Sequence, residues 1–262
     1  MQIQLQIMKI LKSPSFILLS AAFLAACVSN PETDQAKVSE AEKVIEISGK
    51  EINIMPSEAN MEWVGTKPTG RHYGTISLGK GILRMKERSI IGGKLVFDLT
   101  KIEVTDLKDN QEMHAKLVDH LQSVDFFDAP NHPQATFEIV SLKTLNTAKS
   151  ATTEYDAYSK DMQQPVAGEK IMEVGDYKLK GATHEILGNL TMRGKTFAIT
   201  VPAVVDITKD SVYTHTNFSI DRTKWGLMYG DESKVVDKAK DKFIYNIVGI
   251  GLKIKASLNA TR

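Results

Sequence analysis

The sequence predicts an all-β protein, an antiparallel barrel or sandwich of about eight strands with one amphipathic helix. Short segments of alternating apolar and polar residues follow one another from residue 59 to residue 258, and glycine-containing turns accompany them. Only one segment breaks this alternation with apolar residues at helical spacing. Many sequential strands with few helices between them are typical of antiparallel barrels and sandwiches.

The composition is that of an ordinary globular protein. Hydrophobic residues make up 42% of the 262 residues and charged residues 25%, which excludes fibrous, disordered and polytopic membrane proteins. The formal net charge is +1, so no nucleic acid is expected as a partner. The single cysteine excludes an intramolecular disulfide and a metal site built from several cysteines.

The first 26 residues have the layout of a secretory signal peptide. Lys9 and Lys12 precede an apolar run over residues 16–24, which is shorter than the ~20 residues of a transmembrane helix. The residues "LAAC" at 24–27 resemble the bacterial lipobox, in which the cysteine is acylated and becomes the first residue of the mature chain. We therefore expect Cys27 to anchor a lipoprotein to a membrane of the bacterial cell envelope, on its periplasmic or surface face. The alternative is a buried cysteine in an uncleaved apolar segment.

A polar segment follows the cysteine and separates it from the folded domain. Residues 28–45 contain no aromatic side chain and many charged ones, a composition typical of a solvated linker. The sequence thus predicts a signal peptide over residues 1–26, a flexible tether over residues 27–50 and a β-barrel domain over residues 51–262.

Eight segments of the domain have the alternation of strands. In order they are "ANMEWVG", "TISLGKGILRM", "GGKLVFDLTKIEV", "QATFEIVSLKTL", "DYKLKGATHEILGNLTMRG", "KTFAITVPAVVDI", "VYTHTNFSI" and "KFIYNIVGIGLKIKASL". The strings "LGKG", "IIGG" and "MRGK" are predicted tight turns, in which glycine supplies positive φ.

The helix is predicted within residues 109–127, before Pro130 and Pro133 end it. Its apolar stripe is predicted to consist of Met113, Leu117, Leu121 and Val124, and its capping box of Asp109 and Glu112. His114 and His120 lie about 240° apart around this helix, so we expect no joint metal site. Residues 146–175 are predicted to form a long polar loop.

The quoted segments resemble the YceI-like family of lipid- and polyisoprenoid-binding proteins. The similarity covers most of residues 57–256 and is most specific in "HLQSVDFFDAPNHPQATF" and "GNLTMRGKT". This resemblance implies an eight-stranded antiparallel lipocalin-like β-barrel with a helix over one end and an apolar cavity. It also implies a protein that binds a lipid and is not an enzyme. The 146–175 segment is longer than the corresponding connection of the family.

The expected function is lipid binding inside the barrel. The ligand would be a polyisoprenoid, a quinone-like lipid or a fatty-acyl chain, with no cofactor and no metal. The sequence leaves a homodimer open, and it does not show whether the barrel is open or filled by its own side chains. The residues expected to line the cavity are Trp63, Phe97, Phe137, Met192, Phe197, Ile199, Phe218, Ile220, Ile250 and Leu252.

Two other functions remain open at this point. A hydrolase or isomerase acting on a hydrophobic substrate would require a polar group facing the cavity, such as His215 or Asp221. An envelope interaction module would have a filled barrel and use the 146–175 loop as its contact surface. The string "DRTKWG" at 221–226 has two interpretations as well: Arg222 or Lys224 binds an anionic head group, or Asp221 and Arg222 organise a turn beneath a packed Trp225.

Overall fold

The structure of the protein, a computed structural model, describes residues 35–45, 48–145, 179–234 and 243–259. The predicted signal peptide, Cys27 and the predicted 146–175 loop lie outside these residues. The described secondary structure comprises β1 (Lys37–Glu40), β2 (Lys50–Ile54), β3 (Ala59–Lys67), β4 (Gly70–Lys86), β5 (Ser89–Val104), α1 (Gln111–Gln122), β6 (Gln134–Thr144), β7 (His184–Met192), β8 (Lys195–Ile207), β9 (Ser211–Asp221) and β10 (Ile247–Ser257).

Eight of these strands close into one antiparallel barrel. Strands β3 to β9 pair in chain order, β10 pairs with β9, and β10 also pairs with β3, which closes the ring. Closure leaves the barrel strands without a long free edge. The prediction of an eight-stranded antiparallel barrel is confirmed, and the alternative of a sandwich is excluded. Strand β2 extends the wall by pairing with the second half of β4.

Two of the three predicted glycine turns are wrong. Both "LGKG" and "IIGG" lie inside the long strands β4 and β5, which are joined at Glu87, a residue with φ of 54°. Within β5, glycine is needed at position 93 because β4 and β5 approach each other closely. A Cβ on Gly93 would lie 2.6 Å from the carbonyl oxygen of Ile82. The predicted turn "MRGK" is confirmed, with φ of 47° at Arg193 and 70° at Gly194.

The predicted amphipathic helix forms within residues 109–127, but its cap and its buried face differ from the prediction. Asn110 is the N-cap, and its side-chain oxygen accepts a hydrogen bond from the Met113 amide at 3.1 Å. Glu112 instead pairs with Lys116 one turn later at 2.6 Å, so the predicted capping box with Asp109 does not form. Leu121 is buried, whereas Met113 and Val124 of the predicted stripe are exposed.

Part of the predicted tether belongs to the barrel wall. Strand β1 pairs antiparallel with residues 197–200 of β8, and Gln35 bridges to Ser219 of β9. Strands β8 and β9 pair with each other only over residues 204–207 and 212–215, so β1 fills the gap where they diverge. Ala36 and Val38 of this alternating segment pack into the core. Its backbone supplies hydrogen-bond partners to the strand edges that β8 and β9 would otherwise leave unpaired.

Asn189 of β7 forms hydrogen bonds with the backbone of Glu42, in the segment that follows β1. Its side-chain amide donates to the carbonyl oxygen of Glu42 at 2.7 Å and accepts from the Glu42 amide at 2.9 Å. We expect Asn189→Ala to lower the free energy of unfolding by about 1–2 kcal/mol, since two hydrogen bonds of a buried side chain are lost. Hydrogen exchange of the amides of β1 should accelerate, as measured by mass spectrometry.

A neighbouring substitution provides the control for Asn189. Thr191 lies on the same strand, and its hydroxyl is hydrogen-bonded to the hydroxyl of Thr196 and not to residues 35–42. Thr191→Ala should therefore leave exchange in β1 unchanged. Equal exchange in β1 of wild type and Asn189→Ala would show that Asn189 does not hold this segment.

Among the described residues, no helix is long and apolar enough to cross a membrane.

Candidate functional site

The barrel encloses an apolar cavity of about 120 Å³. All eight barrel strands contribute to its lining, because alternate residues of each strand point inward. On β9, for example, the lining residues are Thr214, Thr216, Phe218 and Ile220, and on β10 they are Val248, Ile250, Leu252 and Ile254. The lining is apolar apart from two threonines and one arginine, so the cavity suits a hydrophobic ligand.

Nine of the ten residues predicted to line the cavity do so. They are Trp63, Phe97, Phe137, Met192, Ile199, Phe218, Ile220, Ile250 and Leu252. Phe197 is not part of the lining and instead packs edge-to-face against Trp225, with 5.5 Å between the ring centroids. Contact of the nine residues with a lipid stays a prediction.

Several further lining residues cannot be predicted from simple alternation, because their strands contain register shifts. Ile76 and Leu83 both line the cavity, although an odd number of positions separates them on β4. The register shift between Leu78 and Lys80 accounts for this change of face, because β4 has one residue more than β5 at that point. A shift between Ile139 and Ser141 likewise brings Leu142 of β6 into the lining. Simple alternation fails at such bulges, because each extra residue reverses the sides.

Thr214 and Thr216 are lining residues that a search for apolar side chains overlooks. Both threonines alternate in step with Phe218 and Ile220 along β9. Their position in the strand could therefore have predicted that they face the cavity. The Thr216 hydroxyl donates to the carbonyl oxygen of Pro202 at 2.6 Å. The Thr214 hydroxyl and the indole nitrogen of Trp63 are both buried, and neither has a hydrogen-bond partner among the residues that the structure describes.

Arg222 lines the cavity at the end of the barrel where β9 stops, and the residue is 2% exposed. Its guanidinium donates to four backbone carbonyl oxygens, those of Leu227, Gly230, Ile244 and Tyr245. Burial lowers the pKa of Arg222, whereas the nearby carboxylates, Asp231 foremost, raise it. Arg222 therefore organises the chain at this end of the barrel.

Asp221, Thr223 and Trp225 of "DRTKWG" also have structural partners. The Asp221 carboxylate accepts hydrogen bonds from the amide and the hydroxyl of Thr223, at 3.0 and 2.6 Å. Trp225 is completely buried, and its indole nitrogen donates to the carbonyl oxygen of Leu190 at 2.9 Å. The interpretation of this string as a turn beneath a packed indole is thus confirmed.

The polar residues that an enzyme was expected to need do not face the cavity. His215 and Asp221 alternate with the lining residues of β9 and are absent from the lining. Burial lowers the pKa of His215 to about 4, and the charge of Lys253 adds to this effect, while a hydrogen bond with Asn217 opposes it. His215 is therefore neutral at physiological pH, on the side of β9 that faces away from the cavity.

The two histidines of α1 have separate partners. His114 lies 3.5 Å from the carboxylate of Glu103, and His120 packs edge-to-face against Tyr229 with 4.3 Å between the ring centroids. In the part of the chain that the structure describes, no group of three His, Cys, Asp or Glu residues is placed to hold a metal ion.

The fold and the cavity define the class of the protein: a closed antiparallel β-barrel with an apolar interior. The chain belongs to the YceI-like domain family, whose family model matches residues 52–256. A search of curated protein sequences finds no match.

Several solved structures are similar to this chain. BcnA of Burkholderia cenocepacia is 17% identical, with a TM-score of 0.48 over 78% of this chain and 99% of that one. A polyisoprenoid binding domain from Saccharophagus degradans is 13% identical, with a TM-score of 0.49 over 80% of this chain and 99% of that one. A Campylobacter jejuni YceI protein is 13% identical, with a TM-score of 0.38 over 84% and 92% of the two chains.

Proposed function

We propose that the protein is an exported, membrane-anchored lipoprotein whose barrel binds a polyisoprenoid, quinone-like or fatty-acyl lipid for transport, storage or sequestration. The observation that carries this proposal is the apolar lining contributed by all eight barrel strands. Membership of the YceI-like family supports it, because that family consists of binding barrels. We infer accordingly that the protein binds its ligand without converting it.

The cavity dimensions favour a slender ligand. A volume of about 120 Å³ is smaller than the ~300–1,000 Å³ of typical small-molecule pockets. A long chain must therefore displace lining side chains as it enters. Met61 and Met192 are suited to this, because their unbranched side chains adopt many conformations at little cost. Each buried methylene group of the ligand then contributes about 0.8 kcal/mol to binding.

The anchoring part of the proposal rests on the sequence around Cys27. Gln35, the first described residue, follows Cys27 by eight positions and already contacts the barrel wall. Eight fully extended residues span at most about 29 Å. An acylated Cys27 would consequently hold the barrel close to the membrane surface, where it can exchange lipid with the bilayer.

Native mass spectrometry after gentle purification tests lipid binding. We expect a reproducible mass increment from a lipid that co-purifies with the wild-type protein. Ala135 lines the cavity opposite Phe97, and Ala135→Leu would place three further carbon atoms in it. This variant should reduce lipid occupancy at least about tenfold, since the space that the ligand needs is taken.

The matched control introduces the same side chain outside the barrel. Ala115 lies on the exposed surface of α1, and Ala115→Leu should leave lipid occupancy unchanged. An empty wild-type protein that also fails to exchange lipid with vesicles would contradict the proposal. That result would instead favour a filled barrel acting as an interaction module.

A further inference from the structure

The barrel wall has a gap between β8 and β9 that a separate strand fills. The two strands pair with each other only over residues 204–207 and 212–215. Strand β9 is held in place on its other side, because it pairs with β10 along its whole length. Strand β1 completes the wall with four residue pairs to β8 and a single bridge, from Gln35 to Ser219, to β9.

This gap lies beside the cavity. Ile199 on β8 and Phe218 and Ile220 on β9 flank it, and all three line the cavity. Val38 is directly opposed to Ile199, and opposed residues of an antiparallel pair lie on the same face of the sheet. Val38 and Ala36 accordingly pack into the core. Strand β1 therefore forms the wall of the cavity along this stretch.

Few interactions hold β1 in its place. It has four residues, and three of them are exposed. Residues 41–45, which follow it, belong to no strand or helix, and the side chain of Asn189 holds them through the backbone of Glu42. Segments with few buried contacts open locally at little cost in free energy. Strand β1 can thus leave the wall while the eight barrel strands stay paired with one another.

An opening in the side of the barrel suits a long ligand. A chain that enters through one end of a narrow barrel must pass its whole length along the lining side chains. A chain that enters through a gap parallel to the strands moves sideways over a short distance. The four residues of β1 cover about 13 Å of the wall, so their displacement exposes a long strip of the cavity.

We propose that β1 is a lateral gate, which leaves the gap between β8 and β9 to let a lipid enter or leave the cavity. This inference rests on the proposed lipid binding and specifies the route of the ligand. The gate follows the proposed anchor closely in the chain, since Gln35 is eight positions from Cys27. With β1 displaced, 23 positions separate Cys27 from Lys50, the first residue of β2, so the barrel is free to turn its open side to the bilayer.

A disulfide between β1 and β8 tests the gate. Ser39 and Ala198 are directly opposed, and the Cα atoms of such a pair lie about 4.5–5.5 Å apart, a separation that a disulfide spans. Neither residue lines the cavity. The variant Ser39→Cys/Ala198→Cys is made in the mature chain with Cys27→Ser, so that it has two thiols. The reduced protein is the control for the oxidised protein, because their sequences are identical.

The ligands are two fluorescent lipids, cis-parinaric acid with an acyl chain and retinol with an isoprenoid chain. Stopped-flow fluorescence measures association, and transfer to phosphatidylcholine vesicles measures dissociation. We expect oxidation to slow both rates at least about tenfold and to leave the Kd within about twofold, because a gate changes the barrier between the free and the bound state and not their relative free energy. Reduction should restore the rates.

Asn189→Ala should act in the opposite direction. Without the two hydrogen bonds to Glu42, displacement of β1 is easier, so association and dissociation should both accelerate about tenfold with little change in Kd. The matched control for the disulfide is Thr191→Cys/Thr196→Cys, which joins β7 to β8 and involves no residue of β1. It should leave both rates unchanged. Thermal unfolding verifies that each variant retains its fold.

The gate and the proposed function fail in different ways. Unchanged rates on oxidation of the Ser39→Cys/Ala198→Cys protein, or an equal slowing by the control disulfide, would overturn the gate. So would an oxidised protein in which dissociation alone changes, because the disulfide would then act on the cavity and not on the route into it. If neither lipid binds the wild-type protein, the proposed lipid binding itself is wrong.

Discussion

Arg222→Met is expected to lower the free energy of unfolding by about 3–5 kcal/mol. The guanidinium is almost fully buried and connects four carbonyl oxygens from the segments on either side of residues 235–242. Methionine retains most of the volume but supplies no donor, so these carbonyl groups lose their partners inside the protein. Urea denaturation followed by circular dichroism measures the loss.

The position offers two informative comparisons. Arg222→Lys keeps the positive charge, but a single ammonium group does not reproduce the planar fork that reaches four carbonyls, so most of the loss should remain. Lys224 lies two residues away and is exposed. Lys224→Met should change the free energy of unfolding by less than about 0.5 kcal/mol. A similar small effect of Arg222→Met would refute the structural role of the guanidinium.

Cys27→Ser is expected to abolish fatty-acid incorporation, because a hydroxyl does not replace the thiol as the diacylglyceryl acceptor. The experiment compares labelling with radioactive palmitate in a bacterial host. The wild-type protein should be labelled and fractionate with membranes, since two or three acyl chains give stable anchoring. Labelled fatty acid on the Cys27→Ser protein would overturn the assignment of Cys27 as the anchor.

Two further forms make this result unambiguous. In the first, residues 1–26 are replaced by a signal peptide that the general signal peptidase cleaves, so that no apolar segment remains on the mature protein. The Cys27→Ser variant of this form should be found in the soluble fraction. In the second, Cys27→Ser is combined with Ser39→Cys, which moves the single thiol to the exposed face of β1. The absence of label in the second form would show that lipidation depends on the position of the cysteine.

Much of the fold was predictable because its signals are local. Alternation within each strand predicted an antiparallel barrel or sandwich, and the resemblance to the YceI-like family implied the barrel. The apolar sides of β5 and β10 were predicted from the same alternation, and they line the interior. The turn at Arg193 and Gly194 was also predictable, since positive φ at consecutive residues favours such sequences. Errors arose where a glycine had two interpretations, as at Gly93, which serves close packing and not a turn.

The interaction partners of the N-terminal segment were not predictable. Residues 35–42 are polar and short, as expected of a tether, and their strand is stable only because β8 and β9 diverge and leave edges to pair with. Asn189 is likewise an ordinary polar residue until Glu42 is placed beside it. These contacts join residues 147 to 184 positions apart in the chain, a separation over which no local pattern carries information.

By itself the sequence determined the all-β class, the amphipathic helix and the apolar side of most strands, because each depends on periodicity. The barrel and its cavity followed from the resemblance of contiguous segments to the YceI-like family, and the export signal stays a prediction. The tertiary structure alone decided which face each residue takes beyond a bulge, as for Ile76 and Leu83. It also decided which buried polar atoms have partners. The guanidinium of Arg222 has four carbonyls, whereas the indole nitrogen of Trp63 and the hydroxyl of Thr214 have none among the described residues. The physical reason is that hydrogen-bond satisfaction depends on atoms brought together from distant strands, and only the closed barrel places them.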